Sequence, residues 1–249
     1  MSDEVKQFIE ENINLINENT KESWQEIYNK LPFEIKSEFT KTILDAEIND
    51  PAEILGYIPN SYLERTDIKN YIIPNDVIDI GDFAFNECSN LTNVVIGDSV
   101  ESIGNRAFYN CSSLTNVKIC EKVTSIGYQA FHGCDKLTNI ELPDSVTNIA
   151  YYAFSSCSSL INVIVGDNVW SIENKAFMNC SNLKNIEIPN SIKVIGKEAF
   201  KNCNNLKEIT FKGTKEEATR CGVGDKSFKG WRANSAISKV ICTDGEILL

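Results

Sequence analysis

The stretch Ala107-Phe108-Tyr109-Asn110-Cys111-Ser112-Ser113-Leu114-Thr115-Asn116-Val117-Lys118-Ile119 carries two hydrophobic rhythms in succession. Ala107, Phe108, Cys111 and Leu114 follow a helical spacing, so about two turns of irregular or 3₁₀-like helix would point all four inward. Val117 and Ile119 then alternate with Asn116 and Lys118, the pattern of a strand buried on one face only.

The pattern recurs. Ala84-Phe85, Ala107-Phe108, Ala130-Phe131, Ala153-Phe154, Ala176-Phe177 and Ala199-Phe200 are spaced by 23 residues without an insertion or deletion. Cys88, Cys111, Cys134, Cys157, Cys180 and Cys203 follow each Phe by three residues, and Leu91, Leu114, Leu137, Leu160, Leu183 and Leu206 follow each Cys by three more. Gly97, Pro143, Gly166 and Pro189, with Asp or Asn beside them, turn the chain after its strand. A fixed period changes the meaning of every residue inside it. No single coil can bury its own apolar side chains, so the coils must stack, with strands ~4.8 Å apart and identical side chains superposed.

The unit Val-x-x-Ile-Gly-x-x-Ala-Phe-x-x-Cys-x-x-Leu-x-x-Val-x-Ile resembles the BspA-like, or Treponema pallidum type, leucine-rich repeats over about residues 61–212. The resemblance implies an α/β repeat solenoid: a right-handed leucine-rich-repeat stack of 23-residue coils with a small helical N-terminal cap. It also implies a binding protein and not an enzyme. Ala150 and Glu173 stand where the unit has Gly, and Cys120 where Pro or Gly is expected, which leaves local turn geometry open.

An open stack exposes apolar ends and strand edges, so both ends need covering. Residues 1–60 read as an acidic helical cap or docking region. Val5, Phe8, Ile9, Ile13 and Ile16 mark one amphipathic helix, Trp24, Ile27, Tyr28 and Leu31 a second, and Ile35, Phe39 and Ile43 a third. Asp50-Pro51-Ala52-Glu53 reads as a capping box opening a fourth. Residues 61–212 hold a degenerate first coil and six full repeats, and residues 213–249 form a C-terminal cap in which Trp231 and residues 237–242 fold back over the last coil.

Net charge is -11, and residues 1–60 hold thirteen Asp/Glu against five Lys. That balance disfavours nucleic acid or an anionic membrane as partner. Met1-Ser2-Asp3-Glu4-Val5-Lys6 lacks the basic, apolar character of a secretory signal, and no run is long enough to insert in a membrane. A cytoplasmic location is the expectation, with a surface-exposed or virion-associated one, reached unconventionally, as the alternative. The nine cysteines are an odd number in a large chain, so reduced thiols are expected, with a Cys221–Cys242 bridge in the cap as the exception to examine.

No phosphate loop, catalytic carboxylate pair or nucleophile–base pair is visible, and no cofactor or metal is expected. The Cys series occupies a position the repeat needs small and buried. His132, the single histidine, aligns with Asn86, Tyr109, Ser155, Met178 and Lys201 and reads as a variable surface residue. Asp98, Glu121, Asp144 and Asp167 read as turn residues before they read as calcium ligands.

Two candidate partner-binding regions remain. On the outward strand face, Asn93, Asn116, Asn139 and Asn162 belong to a constant row that reads as stacked amides. Ile72, Val95, Lys118, Glu141, Ile164 and Glu187 vary in the column beside it. A constant scaffold beside a variable column favours recognition of a protein. Tyr128, Tyr151, Tyr152 and Trp170 form an aromatic side patch that could contact a protein or stack on a glycan.

Overall fold

A computed structural model of the chain describes residues 7–8, 11–12, 30, 57–58, 69–73, 75, 77–223 and 236–249. Most of the expected N-terminal helices, the Asp50 capping box and Trp231 lie outside the described residues. In chain order the elements are β1 (Tyr57–Ile58), β2 (Asn70–Ile72), β3 (Asp79–Ile80), β4 (Asn93–Val95), β5 (Ser102–Ile103), β6 (Asn116–Lys118), β7 (Ser125–Ile126) and β8 (Asn139–Glu141). They continue with β9 (Asn148–Ile149), β10 (Asn162–Ile164), β11 (Ser171–Ile172), β12 (Asn185–Ile188), β13 (Val194–Ile195), β14 (Glu208–Phe211), helix α1 (Lys215–Arg220), β15 (Lys239–Cys242) and β16 (Gly245–Leu248).

The chain is a β-solenoid of about six coils, and each coil contributes to two parallel walls. The odd-numbered strands from β1 to β13 form one seven-stranded sheet. This wall comes from the Val-x-x-Ile segment, too short for its alternation to be read as a strand beforehand. The Asn-x-x strands form the other wall, split into β2-β4-β6 and a six-stranded sheet running β16-β15-β14-β12-β10-β8. From β2 to β14 partners lie 23 residues apart, as in Asn70↔Asn93 and Asn162↔Asn185, so the period fixes the register.

The third side of each coil departs from the helix-like reading. Ala107, Tyr109 and Cys111 donate to carbonyls three residues back at 3.4, 3.1 and 3.3 Å. Arg106, Phe108 and Asn110 instead donate to Tyr128, Ala130 and His132 of the next coil at 2.8, 2.7 and 2.7 Å. Every second N–H is thereby turned along the solenoid axis. Two left-handed residues per coil make this possible, for example Arg106 and Asn110, both at φ 54°. Such residues cost roughly 1 kcal/mol each when not glycine, a cost the inter-coil bonds offset. A true helix would spend its N–H groups internally and leave the coils joined on this side by side chains alone.

Inside, the six repeated Phe rings form one column, fully buried, with centroids 5.1, 5.0, 5.3, 5.5 and 5.7 Å apart and planes within 9°. The repeated Ala, Cys and Leu residues are buried beside it. The ladder thiols from Cys111 to Cys203 each donate to the Phe carbonyl of the preceding coil, as Cys111 Sγ does to Phe85 O at 3.0 Å and Cys157 Sγ to Phe131 O at 3.1 Å. The cysteines are therefore compact core residues with a weak donor, and all are free thiols, Cys221 and Cys242 included. Where Gly follows Ile its role is steric: a Cβ on Gly104 or Gly127 would lie 2.6 Å from the backbone nitrogen of Asp82 or Asn105 below.

At the C-terminal end, β15 extends the sheet parallel to β14, and β16 pairs antiparallel with β15. Helix α1 is fixed by a Thr214/Glu217 capping box. Val240 of β15 is fully buried against the core.

Candidate functional site

The strand wall presents its outward side chains in two columns. In the Asn column, Asn93 Nδ2 donates to Asn70 Oδ1 at 2.7 Å, Asn116 to Asn93 at 3.1 Å, Asn162 to Asn139 at 2.7 Å and Asn185 to Asn162 at 2.6 Å. Each inner amide thus lies in a chain of hydrogen bonds that fixes its rotamer, so the row is a rigid frame. Beside it Ile72 (73% exposed), Val95 (48%) and Ile164 (44%) place apolar surface in water, interleaved with exposed Lys118, Glu141 and Glu187.

The frame has one interruption. Asn139 Nδ2 turns to Thr138 Oγ1 at 3.0 Å instead of reaching Asn116. The backbone parts at the same step, because β6 ends one sheet and β8 begins the next. Among the described residues no backbone hydrogen bond joins 115–119 to 138–142. On the opposite wall the same step keeps only Ile126↔Ile149. Cys120 and Ala150, two departures from the repeat, lie at this step. Ala150 alone does not account for it, since Glu173, also in place of Gly, still donates to Ile149 O at 2.9 Å.

A groove of ≈ 680 Å³ runs across β6, β8, β10 and β12, with this step at one end. It takes in Asn116, Lys118, Asn139, Glu141, Asn162, Ile164 and Glu187 from the expected set. Ile72, Asn93 and Val95 lie on the same face beyond its edge.

The aromatic residues assemble differently. Tyr128 stacks on Tyr151 at 5.8 Å, and Tyr152 meets Tyr151 edge-on at 4.3 Å. Trp170 is 48% exposed and makes no ring contact with them; it precedes β11 on the seven-stranded wall. Residues not singled out beforehand complete the cluster. The Arg106 guanidinium lies 5.6, 5.5 and 5.6 Å from the rings of Phe83, Tyr109 and Tyr128, and donates from Nε to Gln129 Oε1 at 2.7 Å. Lys175 Nζ donates to Tyr152 OH at 2.9 Å, which holds the phenol below its usual range and the ammonium above its own. Only the 23-residue offsets Phe83–Arg106–Gln129 and Tyr152–Lys175 could have revealed these pairs in the sequence.

His132 is a member of this cluster and not a free surface residue. It stacks on Tyr109 at 4.9 Å and meets Tyr152 edge-on at 6.3 Å. Burial, and then the Arg106 charge, lower its pKa from the ordinary value. The acidic turn residues are also committed in part: Asp144 Oδ1 accepts the Asp167 N–H at 2.6 Å, and Asp167 pairs with Lys212 at 2.7 Å. Among the described residues no group of three His, Cys, Asp or Glu converges to hold a metal ion, and no helix is long and apolar enough to cross a membrane.

The BspA type leucine rich repeat region matches in six copies, over residues 56–128 and 102–230. The chain belongs to the BspA-type leucine-rich repeat family. Two solved BspA-type structures illustrate the likeness. A leucine rich cell surface protein of Faecalibacterium prausnitzii A2-165 is 39% identical with a TM-score of 0.54, over 57% of this chain and 38% of its own. The leucine rich repeat protein of T. pallidum is 29% identical with a TM-score of 0.55, over 58% of this chain and 73% of its own. The pneumococcal vaccine antigen PcpA, 20% identical with a TM-score of 0.51 over 68% of this chain and 41% of its own, shares the fold alone. This chain thus spans well under half of the F. prausnitzii protein. No curated protein matches it.

Proposed function

We propose that this BspA-type repeat is a non-enzymatic binding protein that recognises a protein partner through its strand face. The observation that carries the reading is the contrast between neighbouring columns. One is a hydrogen-bonded Asn frame; the other exposes Ile72, Val95, Lys118, Glu141, Ile164 and Glu187, which differ from coil to coil. A rigid frame lowers the entropy lost on binding, and exposed aliphatic groups between charges supply both contact area and selectivity. The groove across Asn116, Lys118, Asn139, Glu141, Asn162, Ile164 and Glu187 gives this face the concavity that a protruding segment needs.

A second reading is an adhesin for host glycan or matrix, using Tyr128, Tyr151, Tyr152 and Trp170. It draws on the F. prausnitzii relative, whose description is a leucine rich cell surface protein, and would place this chain at a surface as well. The packing of the Tyr pair counts against it. Tyr128 and Tyr151 stack with planes 11° apart, which covers one face of each, while Arg106 lies 5.6 Å from the Tyr128 ring and Tyr152 packs at 4.3 Å on Tyr151, so less ring surface is left for a sugar.

The test is a pull-down followed by calorimetry with the captured partner. Val95→Asp plus Ile164→Asp should abolish binding, and Tyr128→Ala plus Tyr151→Ala should leave it unchanged. The reverse pattern would transfer the function to the aromatic patch.

A further inference from the structure

Resting on the strand face as the recognition surface, we propose that the cleft between β6 and β8 is a pocket for an arginine side chain presented by an extended segment of the partner protein. The cleft is a wedge, open at the strand face and closed behind. At its back the coils stay joined: Phe108 N–H reaches Ala130 O at 2.7 Å, Asn110 N–H reaches His132 O at 2.7 Å, and Phe108 stacks on Phe131 at 5.0 Å. At its mouth the ladder is missing. In the neighbouring steps Thr115 N–H bonds Thr92 O at 2.9 Å and Ile161 N–H bonds Thr138 O at 2.8 Å, whereas the equivalent bond here, Thr138 N–H to Thr115 O, is not made.

The chemistry of the opening selects its occupant. Val117 is half-buried where its counterparts Val94, Ile140, Val163 and Ile186 are buried, so the wedge exposes an apolar wall suited to a methylene stem. At the mouth a cavity of ≈ 300 Å³ brings together Glu121 and Glu141, with Lys118 at the rim. Neither carboxylate makes an ion pair or hydrogen bond among the described residues. The unmade bond leaves one main-chain donor, Thr138 N–H, and one acceptor, Thr115 O, so it is the Glu121 and Glu141 carboxylates with Asn116 Oδ1 that tip the opening toward acceptors. A guanidinium has five donors, no acceptor and a fixed charge, and its fork matches carboxylates; an acidic or neutral side chain would leave these acceptors unmet. The Thr138 N–H remains to bond a carbonyl of the same extended segment, as in strand recognition at a sheet edge.

The experiment is an NMR titration of the full chain with two probes, acetyl-Val-Arg-Val-amide and its neutral isostere acetyl-Val-citrulline-Val-amide. The arginine peptide should shift the amides of residues 115–121 and 138–141 saturably and bind about tenfold tighter than the citrulline peptide. Glu121→Gln with Glu141→Gln, isosteric surface changes, should bring the two peptides level. Equal binding of both peptides, shifts outside the cleft, no saturable shift, or displacement by methyl glucoside would overturn the proposal. Its failure is separable from failure of the strand-face reading. If Val95→Asp plus Ile164→Asp abolishes partner binding while the glutamine pair leaves it intact, the recognition face stands and the arginine pocket falls.

Discussion

Phe108 and Phe131 lie one above the other inside the solenoid, ring centroids 5.0 Å apart and planes 9° apart. Each is fully buried, so each ring covers its neighbour and neither coil has an interior of its own. Replacing Phe131 by Ala removes contacts with both Phe108 and Phe154 and leaves a cavity the rigid stack closes poorly. Stability should fall by about 3–5 kcal/mol, read as a lowered urea midpoint. A loss below about 1 kcal/mol, the scale of a surface substitution, would mean the coils do not share a core.

The thiol ladder makes the fold labile to alkali. Burial pushes the thiols of Cys111, Cys134 and Cys180 well above the ordinary value of 9.0, and neighbouring ladder cysteines add to it. Above about pH 9 the unfolded chain releases these protons and the folded chain retains them, so stability is fully present below that pH and declines as pH rises. Each thiol should contribute about 1.4 kcal/mol per pH unit. Urea midpoints between pH 7 and 10.5 should drop steeply, and Cys134→Ala should reduce the slope.

His132 titrates in the opposite sense. Its folded pKa is lowered, chiefly by burial and then by Arg106, so stability is present above pH 6.5 and is lost as pH falls through the folded value. As the single histidine it gives one imidazole Cε1–H signal, whose NMR midpoint should lie below 6.5. Arg106→Gln should move that midpoint upward. A midpoint at or above 6.5 would place His132 outside the aromatic cluster.

The Asn frame predicts unequal costs for chemically identical substitutions. Asn93 donates to Asn70 and Thr92 and accepts from Asn116, whereas Asn116 donates to Asn93 and Thr115 and accepts from no neighbouring amide. Asn93→Ala should therefore destabilise by roughly 1 kcal/mol more than Asn116→Ala. Equal losses in matched urea melts would show that the row is not a continuous chain of bonds.

Much of this was legible in the sequence because the period acts as a ruler. The 23-residue spacing superposes Phe on Phe and Asn on Asn, so core, register and amide row follow without a structure. What escaped depended on geometry that spacing does not encode. The turns between Gly104 and Cys111 look helical because both conformations bring Ala107, Phe108 and Cys111 to one side; only the left-handed φ values of Arg106 and Asn110 distinguish them. The second wall escaped because two residues such as Ser125–Ile126 are too short to alternate. At the candidate site the exposed column could be read residue by residue. The parting of β6 from β8 could not, since Cys120 and Ala150 advertise a local departure but not its effect on the ladder. Arg106, a surface charge in a linear reading, is gathered among three rings by coils on either side.

The central claim is that the strand face does the recognising, and hydrogen exchange of the full chain with and without its captured partner tests it most directly. The account predicts slowed exchange in residues 115–119 and 138–142, with residues 105–110 and 128–133 unchanged. Protection confined to the latter segments, which carry Arg106, Tyr109, Tyr128 and His132, would contradict it.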